Sequence, residues 1–421
     1  MLLKDRYHKA LRIKPDNLKI VRKLAEQYFS GKEFHRACEY YLKAVQLKGI
    51  LSSDFAEFKN IEAIRSKVVR WNDISELNEL WLIGISVIFA EARNQQVTPD
   101  DLEKGINSFK QALKAEPEFS FFHNLLGELL THQGKIQEAI YHYQAFSYQE
   151  TSVHYPELTK QHWIPQHLRN PDFIIGGFVK CGTTSLYRYL TSHPQVLSAT
   201  RKEILFFSRF LDKGANWYFS HFPAIQDKNY LTGEASASYF AWANPEKILE
   251  LLPDIKLICL IRNPVDVLVS IFHQNQRFGF QQFSLEESLS LSIQYLQELL
   301  QTGINNFVHK NVDNCSILEQ NALVNIRAIL YVYFLKKWIC FFPKKQFLIL
   351  KSEEFCSNPS ATMKEVYRFL NLPDYQLKDY PKYNSGSYSS ISDDLRCQLA
   401  ESFRPYNQEL EELLGRKLNW N

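Results

Sequence analysis

The segment Gly176-Gly177-Phe178-Val179-Lys180-Cys181-Gly182-Thr183-Thr184-Ser185 gathers the residue types that bind an oxyanion. Glycines let a backbone come close to a ligand, Thr183, Thr184 and Ser185 add hydroxyl donors, and Lys180 adds a positive charge. The apolar run Phe173-Ile174-Ile175 ahead of it predicts a buried strand. The amphipathic run Leu186 to Leu190, stopping at His193-Pro194, predicts a helix. A glycine turn between strand and helix N-terminus collects exposed N–H groups and the positive end of the helix dipole, a natural cradle for phosphate or sulfate. Gly177 and Gly182 have the separation found in nucleotide-triphosphate loops, but Thr183 follows Gly182 where such a loop needs lysine.

A second anion-binding feature follows. Lys256-Leu257-Ile258-Cys259-Leu260-Ile261 predicts a buried strand ending in Arg262-Asn263-Pro264. Asn263 is a good N-cap and Pro264 suits the first helical position. The helix would carry Ser270 two turns on. A guanidinium offers phosphate two charge-assisted contacts at once.

These groups must be positioned by the surrounding elements. The first 150 of the 421 residues hold three of the 16 prolines, Pro15, Pro99 and Pro117. That predicts an all-helical N-terminal part, followed by alternating strands, loops and helices. In the helical part, Leu24, Ala25, Tyr28, Ala37, Tyr41 and Ala44 match Leu126, Gly127, Leu130, Ala139, Tyr143 and Phe146 in offset, with Gly31 or Gly134 in the turn. This spacing resembles the tetratricopeptide repeat, whose arrays bind peptides or partner domains. A generic helical hairpin array is the alternative. Thr151 to Asn170, with two prolines, is expected to be a connector. The expected organisation is therefore a tetratricopeptide-like domain over 1–150, a linker over 151–170 and an α/β domain over 171–421, with a parallel central sheet and flanking helices.

Composition sets limits. With 49 Lys+Arg against 46 Asp+Glu the net charge is +3, too weak for a nucleic-acid coat. Apolar residues at 45% provide enough surface for sizeable cores, which excludes a disordered or fibrous chain. The longest apolar stretch, Trp81 to Ala90, falls short of the ~20 residues a membrane helix needs. Seven cysteines without Cys-x-x-Cys, and no apolar leader at Met1 to Asp5, fit a cytoplasmic protein without disulfides. Twelve histidines without His-x-x-x-His spacing give no reason to expect a metal.

The loop Gly177-x-x-Lys180-x-Gly182-Thr183-Thr184-Ser185 after a strand resembles the 5′-phosphosulfate loop of sulfotransferases that use 3′-phosphoadenosine 5′-phosphosulfate (PAPS). The likeness continues, in the family's order, through 171–421. Lys202-Glu203-Ile204-Leu205-Phe206-Phe207 resembles the Lys-Glu-x-x-Phe-Phe segment of heparan-sulfate and related bacterial members. Trp217-Tyr218 to Phe222-Pro223 and Glu234-Ala235-Ser236 to Tyr239-Phe240 match further segments. The pattern departs at Ala235, where heparan-type enzymes often carry lysine, and at Ser387, where they usually carry a basic residue.

The resemblance implies roles. Lys180, Cys181, Gly182, Thr183, Thr184 and Ser185 would cradle the 5′-phosphosulfate, with Lys180 on the bridging oxygen and the transferring sulfuryl group. Arg262 and Ser270 would hold the 3′-phosphate, and Ser385 and Gly386 belong to a loop over the cofactor. Glu203 would be the catalytic base, and its setting among Leu205, Phe206 and Phe207 is expected to desolvate it and raise its pKa. No metal is required. The implied acceptor is a hydroxyl or amine of a carbohydrate or glycoconjugate. The alternatives are a protein tyrosine as acceptor, a non-enzymatic scaffold that keeps a degenerate nucleotide domain, and a nucleotide kinase or NTPase, which would need a loop lysine and a magnesium carboxylate.

Overall fold

The structure, a computed structural model, describes residues 99–115, 117, 120–277, 283–304, 307, 315–381, 383 and 391–420, with isolated positions at Tyr7, His8, Ala10, Leu11, Ile20 and Leu24. The chain divides into two compact units, Met1–Lys135 with Gln274–Gln282, and Ile136–His273 with Phe283–Asn421. In the first unit, helices α1 (Pro99–Ala115) and α2 (Phe121–His132) pack together through the rings of Phe109 and Phe122, 6.0 Å apart. Of the first expected repeat, only Leu24 falls within the described residues. In the second, Leu126, Gly127 and Leu130 lie buried on α2, and Ala139 and Tyr143 lie buried on α3 (Ile136–His154), which belongs to the other unit. Gly134 takes φ +79° in the turn between these helices.

Residues 151–170, expected as a connector, carry structure. They hold the end of α3, helix α4 (Pro156–His162) and a bridge from Trp163 to Ile225. Leu158 packs with Leu197 and Ile225, against Tyr155, Trp163 and Tyr230. The Arg169 guanidinium donates to Asp172 (2.9 Å), to the Ile225 carbonyl (3.0 Å) and to the Tyr230 carbonyl. The segment is therefore packed as part of the sheet-bearing unit.

That unit is built on β1 (Phe173–Gly177), α5 (Thr183–Thr191), β2 (Val196–Ser198), α6 (Ala215–Phe219), β3 (Leu231–Ala235), α7 (Tyr239–Trp242), α8 (Pro245–Leu251) and β4 (Lys256–Ile261). Helices α9 (Pro264–Arg277), α10 (Leu285–Thr302), α11 (Ile317–Ile329) and α12 (Tyr331–Phe341) precede β5 (Phe347–Lys351), and α13 (Ser352–Ser357), α14 (Pro359–Leu370) and α15 (Asp393–Leu414) follow it. The five strands form one parallel sheet in the order β2-β3-β1-β4-β5. All five β1 residues, and all of β4 beyond Lys256, are buried, as expected of strands covered on both faces. Helix starts follow local chemistry. Asn263 Oδ1 accepts from the Val265 amide at 3.0 Å with Pro264 at the first helical position, and Ser284–Glu287 and Ser316–Glu319 form capping boxes.

The chain leaves β1 toward β2 on one side and leaves β4 toward β5 on the other. With right-handed crossovers those two connections lie on opposite faces, which opens a crevice beyond the carboxyl ends of β1 and β4. Gly177, the last residue of β1, sits against β4 so closely that an added Cβ would lie 2.8 Å from the Leu260 nitrogen, and its φ is +112°. Both terms penalise a side chain. We expect Gly177→Ala to lower stability by at least ~2 kcal/mol in urea denaturation; a loss below about 0.5 kcal/mol would contradict this packing.

Candidate active site

Between β1 and α5 the backbone turns through two left-handed residues, Lys180 (φ +65°) and Gly182 (φ +96°). Gly182 is the N-cap of α5 and offers no side-chain cap to its first-turn amides. Thr183 is buried, and Thr184 and Ser185 are half-buried. The loop is braced from below. The Cys181 side chain is buried, with Sγ 3.9 Å from the Tyr331 hydroxyl of α12, and the Ser352 hydroxyl of α13 donates to the Cys181 carbonyl. Burial pushes the Cys181 thiol up to about 12 and the Tyr331 phenol higher than its ordinary value, so both stay neutral braces. Cys181 therefore has only its backbone to offer an anion.

Arg262 closes the other side. Its Nη1 donates to the Lys180 carbonyl at 3.2 Å, and its own carbonyl accepts from Tyr331 at 2.9 Å. The amide of Asn263 donates to Glu353 Oε1 at 2.7 Å. Ser270 is buried on α9. Register explains the juxtaposition: Gly177 pairs with Leu260, so the loop and Arg262 leave neighbouring strands at the same level.

Glu203, on the chain between β2 and β3, lies against the carboxyl end of β3. Its amide donates to the Ala235 carbonyl at 2.9 Å, and Ala235 pairs with Ile175 of β1. Its carboxylate accepts from the Ala237 amide (3.1 and 3.3 Å) and pairs with the buried ammonium of Lys202. Glu203 (φ +59°) and Leu205 (φ +60°) are left-handed, a cost of about 1–2 kcal/mol each, and a π-helical turn over Phe206–Phe210 follows. Among the described residues six non-glycines have positive φ, and three of them are Lys180, Glu203 and Leu205. Such strain persists where surrounding structure imposes it, and it clusters at functional sites.

Three adjacent strand ends thus have three chemical groups in a row: the Glu203 carboxylate held against the end of β3, the glycine loop after β1 and the Arg262 guanidinium after β4. Strands lie ~4.8 Å apart, so the row spans ~10 Å. Ser385 and Gly386 lie outside the described residues. Among the described residues no group of three or more His, Cys, Asp or Glu could hold a metal ion.

The sequence reading assigned no role to Glu234. It is completely buried on β3 and accepts from the hydroxyls of Tyr218 (2.7 Å), Tyr239 (2.9 Å) and Ser236 (2.6 Å). Burial raises its carboxyl to about 7; the three hydroxyl donors work against that rise, and the charge of Glu203 adds to it. Tyr331, Ser352 and Glu353 were also missed as supports of the loop. The spacings Glu234-x-Ser236-x-x-Tyr239 and Tyr331 to Trp338 and Phe342-Pro343 mark two of these residues in the sequence.

A carboxyl raised from 4.5 to about 7 keeps its proton longer in the folded chain than in the unfolded one. Between those values the folded state binds more protons, so stability falls as pH rises through the window. The full effect is about 3 kcal/mol. We expect wild-type stability, measured by urea denaturation against Glu234→Gln, to fall by up to that amount from pH 4.5 to 8. Parallel pH curves would contradict it.

Comparison with known proteins follows the same residues. The sulfotransferase domain model matches 170–392, more than half of the chain. The membrane-associated sulfotransferase kil1 of Dictyostelium discoideum is 26% identical over 316 residues, covering 59% of this chain and 66% of that protein. The human bifunctional heparan sulfate N-deacetylase/N-sulfotransferase 3 is 28% identical over 279 residues, covering 58% of this chain and 30% of its own length. Human heparan sulfate glucosamine 3-O-sulfotransferase 6 is 27% identical over 282 residues, covering 61% and 75%. The matches to kil1 and to the bifunctional enzyme thus take in less than two thirds of each relative's length. A glycine loop after the central strand, an arginine at the next strand end and a sulfotransferase domain model over both lead to one conclusion: this chain belongs to the sulfotransferase family.

Proposed function

We propose that this chain transfers a sulfuryl group from PAPS to a hydroxyl or amine of a carbohydrate or glycoconjugate. The observation that carries the reading is the contact between Arg262 and the Lys180 carbonyl at the crevice between β1 and β4. A nucleotide with phosphates at both its 5′ and 3′ positions needs two cationic grips side by side. ATP has no 3′-phosphate and would leave Arg262 without its partner. A kinase reading lacks the lysine after Gly182. The carbohydrate class is supported by two of the relatives, whose names specify heparan sulfate.

In the proposed reaction Glu203 takes the proton from the acceptor O–H or N–H. The acceptor atom bonds to sulfur as the bond between sulfur and the 5′-phosphate oxygen breaks, releasing adenosine 3′,5′-bisphosphate. Negative charge grows on the bridging oxygen, where Lys180 and the first-turn amides of α5 would stabilise it. By analogy with oxyanion-hole donors each contact is worth ~3–4 kcal/mol. The Ala237 amide and Lys202 ammonium hold the Glu203 carboxylate in one place while it waits for the proton. Ala235 leaves no cation on β3 where heparan-type enzymes often have one, and Lys202 is the cation nearest Glu203 on the chain.

Two substitutions test this mechanism. Glu203→Gln is expected to cut turnover by ~10²-fold or more in a radiolabelled PAPS transfer assay while adenosine 3′,5′-bisphosphate binds as before; near-normal turnover would remove Glu203 from the chemistry. Arg262→Ala is expected to weaken bisphosphate binding by ~10–100-fold in calorimetry, the worth of a charged hydrogen bond. Unchanged binding would place the 3′-phosphate elsewhere.

A further inference from the structure

We propose that Glu234 is a positioning residue, a buried carboxylate that fixes Glu203 by orienting the hydroxyls that hold the strained segment Glu203–Phe207. The inference rests on the reading of Glu203 as the base. Glu234 itself has no exposure and touches no acceptor. Its effect passes through its partners.

Each hydroxyl has one proton to donate. Ser236 gives its proton to Glu234 Oε2, and Tyr239 gives its proton to Oε1. The oxygens are thereby turned to accept: Ser236 Oγ takes the Leu205 amide at 3.2 Å, and the Tyr239 oxygen takes the Phe207 amide at 3.4 Å. Between those two amides the Phe206 ring stacks on Tyr218, 4.6 Å away at 12°, and Tyr218 is the third donor to Glu234. One carboxylate therefore reaches three consecutive residues, Leu205, Phe206 and Phe207, through three separate side chains. Glu203 is bound to the same stretch of chain at both its amide and its carboxylate, by Ala235 and Ala237.

The left-handed conformations of Glu203 and Leu205 need such an anchor, because an unrestrained side-chain-bearing residue leaves that region readily. A purely structural role explains the carboxylate poorly. A buried charge contributes little stability compared with apolar residues of the same volume, whereas it is well suited to fixing the direction of its donors. Burial holds the Glu234 carboxyl up at about 7, and the titratable or charged groups around it are Tyr218, Tyr239 and the Glu203 carboxylate with its Lys202 partner.

The test uses Glu234→Gln, Ser236→Ala and Tyr239→Phe in the full chain. The latter two keep Glu234 in place and break one relay each, so the result does not depend on Glu234→Gln folding. Hydrogen exchange read by mass spectrometry should accelerate at least tenfold over 203–207 and stay within twofold over 177–185. With radiolabelled PAPS and desulfated heparan sulfate as the acceptor probe, kcat should fall at least tenfold with the KM for PAPS within twofold. Wild-type exchange rates at 203–207 in Ser236→Ala and Tyr239→Phe would overturn the proposal. So would equal acceleration over 177–185, or a KM that rises in step with the loss of kcat. If the wild type transfers nothing to this probe, the acceptor assignment fails, and the exchange experiment alone decides the role of Glu234.

Discussion

The hydrogen bond from Arg262 to the Lys180 carbonyl holds together the ends of two neighbouring strands, and the rest of the site is arranged around it. A parallel sheet delivers the carboxyl ends of all its strands to one edge. The connections from β1 and β4 run to opposite sides of the sheet, the topology that favours a crevice beyond those two ends. The glycine loop after β1 and the Arg262 guanidinium border that space from either side. Glu203, bound to the end of β3, adds a carboxylate one strand further along.

Buried polar groups beneath this edge do the holding. Tyr331 bonds the Arg262 carbonyl and lies against the Cys181 thiol, Ser352 bonds the Cys181 carbonyl, and Glu353 accepts from the Asn263 amide. Glu234 plays the corresponding part under the Glu203 segment. Such groups cost desolvation and must each find a partner, so they favour one arrangement of the backbone over its alternatives. Left-handed conformations at Lys180, Glu203 and Leu205 are what that arrangement demands.

Much of this was legible in the chain. Lys256 to Ile261 is a continuous apolar run bounded by Asn263-Pro264, and the strand and the cap fall where those residues put them. The glycine turn after Phe173-Ile174-Ile175 was equally plain, since strand, turn and helix each have a local signature. Thr151 to Asn170 was harder. Tyr155, Leu158 and Trp163 are spaced among His and Gln, and their partners lie on β2, on the chain entering β3 and, for Trp163, at Tyr148 of α3. Glu234 could be seen but not understood, because its burial and its three hydroxyl donors, Tyr218, Ser236 and Tyr239, are brought together by the fold. Ala25 to Ala44, the rest of the first expected repeat after Leu24, together with Ser385 and Gly386, lie outside the described residues.

The central claim is that two phosphates of one nucleotide are gripped at adjacent strand ends. Calorimetric titration of the unmodified chain with adenosine 3′,5′-bisphosphate and with adenosine 5′-phosphate tests it most directly, since the two ligands differ only in the phosphate assigned to Arg262. The bisphosphate should bind at least tenfold more tightly, as expected for a charge-assisted contact of about 1.4 kcal/mol or more. Equal affinity for the two ligands would contradict the account.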